Sequence, residues 1–242
     1  MNKEEITVFN LIKESNKGRV IELCPGFGNL AEELKSTGFR VFTADIEPSN
    51  LQKKDIPIIK ADMNKQLPFK DSSADYIICL GSIEHLETQY NFTKEIKRVL
   101  KNSGKFLLST PNILNLASRL RYLLTGFYSL AERPCPENNK KNYFIEHIYP
   151  LTYYQLRHMI HTAGLKITKL TSDRKRKSCI FLLWLYPLIL FITYIALIKE
   201  PDPRQKEINK MILKDLLSLT ILTGRNLIIE AEKNENSRYR FI

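Results

Sequence analysis

Hydrophobic and polar positions change their period several times along this chain, and the changes mark its elements. Within residues 3–14, Ile6, Phe9, Leu11 and Ile12 recur at helical spacing, and Gly18 ends that stretch. Residues 19–24 (RVIELC) are a short apolar run halted by Pro25-Gly26-Phe27-Gly28, which predicts a strand running into a glycine turn. Residues 29–36 return to helical spacing. Residues 39–44, 56–61, 75–80 and 104–110 predict four more strands, with a helix over 90–101 that puts Phe92, Ile96, Val99 and Leu100 on one face. These strands are rich in Val, Ile and Leu without regular polar alternation, so both their faces are expected to be covered. The expected fold class is therefore α/β, a doubly wound, mostly parallel sheet wrapped by helices.

After Pro111 the rhythm changes. A basic helix is predicted over 112–125, a polar and aromatic loop over 126–149, a helix over 151–163 and a strand over 165–170. Arg174-Lys175-Arg176-Lys177 then precedes residues 179–198, twenty positions without a charge. Residues 208–222 set Ile208, Met211, Ile212, Leu216, Leu217 and Leu219 against Lys210, Lys214 and Asp215, an amphipathic helix. A last strand follows at 226–231. No internal repeat is visible.

Composition narrows the class. The 242 residues are 43% hydrophobic and 26% charged, a globular balance. Lys and Arg exceed Asp and Glu by 11 charges, which suits an acidic partner such as nucleic acid, anionic lipid or a phosphorylated substrate. The four cysteines, at 24, 79, 135 and 179, are too scattered for a disulfide scaffold or a zinc cluster, so reduced thiols and no metal are expected. Residues 1–18 lack the apolar core of a secretory signal, which points to the cytoplasmic side.

The chemistry gathers at strand ends. Glu22 precedes Gly26-x-Gly28, where bare backbone lets a ligand approach the free N–H groups of the next helix. Asp45 stands at the end of the second strand, 17 residues beyond Gly28, placed to accept both ribose hydroxyls. Asp62 ends the third strand, where a carboxylate can accept from an adenine amine. A hydride-transfer cofactor fits less well, because the third glycine of its fingerprint is replaced by Ala31.

The segments VIELCPGFGNL, FTADIEP, IKADMNKQLPFKDSSADYIICLGSIEHL and LKNSGKFLLSTPN resemble class I S-adenosylmethionine-dependent methyltransferases, most of all the methyltransferase type 11 group. The similarity is strong over residues 15–113 and weaker through EHIYPLTYYQLRHMIHTAGLKI. It implies a seven-stranded Rossmann-like sheet with an antiparallel last strand, and S-adenosylmethionine as cofactor. By the same resemblance Glu22 lies by the donor's amino group, Leu23, Cys24, Gly26 and Gly28 form the turn, Asp45 takes the ribose and Asp62 the adenine. Ile46 and Met63 would flank the ring, and Leu80 would line the methionine tail. The family's usual glycine is Cys24 here.

Methyl transfer to a neutral hydroxyl needs a proton acceptor. His85, in Ser82-Ile83-Glu84-His85 after the fourth strand, and His147, in the loop that would overhang the site, are the catalytic candidates; Glu84 is expected to orient His85 or bind a metal, and Tyr143 and Tyr149 are lesser candidates for the same contacts as His147. Residues 1–173 plus 223–235 are expected to form the methyltransferase domain, and 174–222 an apolar and amphipathic insertion. A single crossing at 179–198 would strand the last strand on the wrong side of a bilayer, and Pro187 should bend the segment midway. A monotopic hairpin on the cytoplasmic face of a membrane is therefore expected, with a small-molecule or lipid-linked acceptor, saccharide-bearing acceptors included, and methylation at oxygen. A nucleic-acid methyltransferase is the alternative raised by the charge, weakened because no Asn/Asp-Pro-Pro-Tyr/Phe element follows the fourth strand. A non-catalytic scaffold with the same fold is the other.

Overall fold

The computed structural model describes residues 1–130 and 149–233. Its apolar runs form strands β1 (Arg19–Leu23), β2 (Arg40–Asp45), β3 (Ile58–Lys60), β4 (Ala74–Leu80) and β5 (Leu100–Pro111), followed by β6 (Leu165–Ser172) and β7 (Asn226–Lys233). They make a sheet of order β3-β2-β1-β4-β5-β7-β6. β1 to β5 run parallel, and β7 is antiparallel to both β5 and β6. The expected seven-stranded, mostly parallel sheet with a reversed last strand is what forms.

Successive residues of each strand serve opposite layers. Val20, Ile78 and Leu107 face α1 (Lys3–Ile12) and α2 (Asn29–Ser36), in the cluster that includes Val8, Ile12, Leu30 and Leu34. Ile21, Leu23, Cys79 and Phe106 face the other layer, where α3 (Gln89–Val99) and α5 (Tyr153–Thr162) supply Phe92, Ile96, Leu156 and Ile160. Two apolar layers around one sheet explain why its strands show no clean alternation.

Between β5 and α5 lies α4 (Leu116–Thr125), starting later than residue 112 because the Asn115 side chain caps the Ser118 N–H. Between β6 and β7 come α6 (Lys177–Phe181), a tight 3-10 turn over Leu182–Leu185, α7 (Tyr186–Ile198), α8 (Pro203–Leu216) and α9 (Leu219–Thr223). The predicted helix over 208–222 is thus two helices. Asp202 caps the first from the N-terminal side, and Ser218 opens a new cap against Ile221. The apolar run is interrupted near its middle by the 3-10 turn over Leu182–Leu185, and Pro187 follows directly. It sits in the first turn of α7, where its missing N–H has no partner to lose.

The insertion leaves β6 and re-enters β7 at the edge where the parallel strands end. Its two roots are stitched together: Arg176 N–H donates to Thr223 O at 2.8 Å and Arg225 N–H to Arg174 O at 2.8 Å. Leu116, Cys179 and Leu222 form a small buried cluster at its base. Beyond that base no residue of α7 is buried. The 22-residue apolar stretch Lys177–Ile198 is long and apolar enough to cross a membrane by length and composition, and it projects Phe181, Trp184, Phe191, Ile192 and Tyr194 outward.

Candidate active site

The carboxyl ends of β1, β2 and β4 lie side by side, and the ligand-type side chains named above sit on or just beyond them. Glu22, the fourth residue of β1, points into the α2 layer. The backbone N–H of Ala31, in the first turn of α2, partly offsets the effect of burial on its carboxyl. Its Oε2 is buried without a hydrogen-bond partner. Burial, helped by the nearby charge of Glu5, pushes its pKa up to about 8. A carboxylate oxygen in that condition is a place for a cationic ligand group, since an unpaired buried charge is costly.

The turn after β1 is built from left-handed backbone. Cys24, Gly26 and Gly28 have φ of +54°, +53° and +83°. A side chain added at Gly26 would meet open space, whereas one at Gly28 would run into the Leu51 Cδ1 at 2.5 Å. Gly26 therefore keeps backbone bare toward solvent, and Gly28 lets the segment after β2 close over the turn. Cys24 pays conformational strain where a glycine would not. Its thiol turns toward Met63, with the sulfurs 4.0 Å apart. Burial first, then the charge of Asp45, pushes that thiol up to about 12, so it is an inert spacer.

Asp45 ends β2 nearly buried and accepts the Glu47 N–H at 2.9 Å; burial raises its pKa. Ile46 beside it is half-buried. Asp62 accepts the Asn64 N–H at 2.9 Å and pairs with Lys65 at 3.5 Å, so it is partly engaged locally. Met63 is buried, Leu23 fully so, and Leu80 is half-buried at the end of β4.

Ile83–His85 form a tight turn just past β4. His85 is half-buried there. Its neighbour Glu84, ranked in the sequence only as a support, is the more deeply held group at 2% exposure. The Thr110 hydroxyl at the end of β5 donates to Glu84 Oε2 at 3.0 Å, and burial pushes the carboxyl up to about 7. Glu84 lines a narrow cleft with Thr110, Ile113, Leu130 and Leu151. A charged residue inside the apolar stretch ICLGSIEHL was the available signal. Tyr149 is exposed, and its N–H donates to Glu84 O at 3.1 Å. His147, Tyr143 and Cys135 lie outside the described residues. Among the described residues no group of His, Cys, Asp and Glu is arranged to hold a metal.

Residues 21–108 match the model of the methyltransferase domain. A Mycobacterium tuberculosis protein described as a probable S-adenosylmethionine-dependent methyltransferase is 39% identical over 57 residues, 24% of this chain and 20% of that protein. The ubiquinone biosynthesis O-methyltransferase of Rickettsia typhi is 30% identical over 104 residues, 40% of this chain and 42% of that protein. The chain thus spans a fifth to under half of the length of these relatives. A solved S-adenosylmethionine-dependent methyltransferase from Archaeoglobus fulgidus superposes over 96% of this chain and 92% of its own, with a TM-score of 0.60 at 16% identity. The Haemonchus contortus phosphoethanolamine N-methyltransferase 2 in complex with S-adenosylmethionine superposes over 96% of this chain and 52% of its own, with a TM-score of 0.55 at 16% identity.

Proposed function

We propose that this chain, which carries a class I S-adenosylmethionine-dependent methyltransferase domain, transfers a methyl group to a hydroxyl of an amphiphilic acceptor at a membrane surface. The observation that carries the donor half is the buried, partnerless oxygen of Glu22 beside a left-handed turn, in the segment matched by the domain model. Glu22 fits the ammonium of the donor's methionine end, Asp45 its ribose hydroxyls, and Ile46 and Met63 the faces of adenine. When bound, the donor supplies an already activated methyl group. What remains for the protein is to orient the acceptor, exclude water and receive one proton.

Glu84 receives that proton. Its carboxyl, held up to about 7, is partly ionised near neutrality, the condition in which a carboxylate accepts well. Thr110 holds the group in place, and His85 lies next to it as an acceptor contact. The O-methyltransferase relative supports oxygen as the target.

The membrane half rests on the apolar insertion, which rises from the edge that holds the donor site. Its exposed Trp184 and Tyr194 suit the interface, and its bulky Phe181, Phe191 and Ile192 suit the acyl boundary. Of the basic cluster, Arg174 pairs with Asp173 and Arg176 donates to Asn115; Lys175 and Lys177 form no ion pair among the described residues and face headgroups. The positive charge favours lipid over nucleic acid, because it gathers at the root of the apolar segment. This reading puts the chain on the cytoplasmic face.

Two measurements test these halves. Calorimetric titration with S-adenosylmethionine is expected to give binding that Asp45→Ala weakens by about tenfold to a few hundredfold, the loss of one or two charge-assisted hydrogen bonds; equal affinity refutes the donor site. Sedimentation with anionic vesicles is expected to carry down the wild type and not a Phe191→Asp/Ile192→Asp variant. Equal pelleting refutes the membrane contact.

A further inference from the structure

A cavity of about 650 Å³ lies between α4 and the end of α8, lined by Leu114, Arg119, Tyr122, Leu123, Tyr128 and Leu216. Its walls are apolar and aromatic, and Tyr122 stacks on Tyr128 at 4.3 Å between ring centroids. Among the described residues that line it, Arg119 carries the one permanent charge. Its Nε–H donates to Leu114 O at 2.6 Å and its Nη2 reaches Leu216 O at 3.5 Å, both neutral carbonyls. Among the described residues Arg119 forms no ion pair. A partly buried guanidinium with no anion among the described residues is an unmet charge, and burial works against its proton. The cavity's position matters too. Leu114 comes shortly after the end of β5, the strand whose Thr110 holds Glu84, and Leu216 ends α8. Of its lining residues Leu123 is 79% exposed, on the same α4 that packs against the apolar insertion.

We propose that this cavity binds the anionic head of an amphiphile, a phosphate or phosphate ester paired with Arg119, whose chain lies along Leu114, Leu123 and Leu216. The reasoning is one of complementarity. Arg offers a planar, multiply donating partner to a phosphate, and leucine walls reward an attached alkyl chain that free phosphate lacks. This deepens the function proposed above, on which it rests for the identity of the amphiphile as acceptor; the site itself stands on the cavity.

The full chain is titrated with decyl phosphate below its micellar concentration, with decanol and with inorganic phosphate. Decyl phosphate is expected to bind the wild type, and at least tenfold more weakly in Arg119→Met. Leu123→Asp, an exposed position whose new carboxylate stands at the mouth, is expected to weaken it similarly without disturbing the fold. Decanol is expected to bind weakly, and equally to the wild type and Arg119→Met. Equal decyl phosphate affinity across the three proteins overturns the proposal. So does decanol that matches decyl phosphate, or inorganic phosphate that binds as tightly with the same dependence on Arg119. A parallel S-adenosylmethionine titration separates the two ideas. Donor binding without decyl phosphate binding ends this proposal and leaves the methyltransferase reading; the converse leaves an anionic lipid site on a protein of another function.

Discussion

Glu22 offers the sharpest test, because what makes it a ligand group also makes it a liability to the empty fold. Its carboxyl is raised from the usual 4.5 to about 8 by burial. The folded chain therefore binds a proton there more tightly than the unfolded chain does. Between those two values the native state holds the extra proton, so stability falls as pH rises. The stabilising condition is low pH, and the loss is complete once pH exceeds the folded value. A shift of this size corresponds to about 4 kcal/mol lost between pH 5 and pH 9, at about 1.4 kcal/mol per pKa unit. Glu22→Gln keeps the shape while removing the charge. Urea unfolding of donor-free protein, wild type and variant, at pH 5 and pH 9 isolates this group from Glu84, which titrates in both. The variant is expected to be about 3–5 kcal/mol more stable than wild type at pH 9, and within about 1 kcal/mol of it at pH 5. It should also bind S-adenosylmethionine at least tenfold more weakly, while wild-type affinity rises from pH 6 toward about pH 8 and falls again as the donor's own α-amino group loses its proton. A variant no more stable than wild type at pH 9 refutes the claim of an uncompensated charge; unchanged donor affinity refutes its assignment to the ammonium.

Cys24→Gly is expected to relieve the left-handed strain at φ +54° while giving up the contact with Met63, for a net change within about 1 kcal/mol by urea unfolding. The wild-type thiol, pushed up to about 12, is expected to resist iodoacetamide at pH 8 far longer than a model thiol; labelling at the model rate would contradict its burial. Thr110→Val leaves Glu84 Oε2 without that donor and is expected to cost about 1–3 kcal/mol at alkaline pH. It should also move the acidic limb of the methyl-transfer pH profile upward, because the lost hydrogen bond had lowered the carboxyl. An unmoved limb would take proton acceptance away from Glu84.

Where the sequence was informative, the signal was local. α2 forms over residues 29–36 as its spacing predicts, because the glycine turn before it and Gly38 after it bound one short amphipathic repeat. The parallel sheet was legible for a similar reason: strands covered on both faces lose their alternation. The helix over 208–222 was misjudged because hydrophobic spacing continues through Leu217 and Ser218, whereas the cap made by the Ser218 hydroxyl on Ile221 interrupts the backbone. His85 outranked Glu84 because an unperturbed imidazole titrates near neutrality and an unperturbed carboxylate does not. The burial that reverses this order is supplied by residues such as Ile113 and Leu151, far along the chain.

By itself the sequence determined the strands, their glycine turn and which acids stand at strand ends, since periodicity and turn chemistry act over a few neighbouring residues. Tertiary structure alone decided that Glu22 keeps an oxygen without a partner, that Cys24 tucks its thiol toward Met63, and that Arg119 sits in a leucine-lined cavity. Those are properties of burial, and burial is a sum over side chains that only the folded chain brings together.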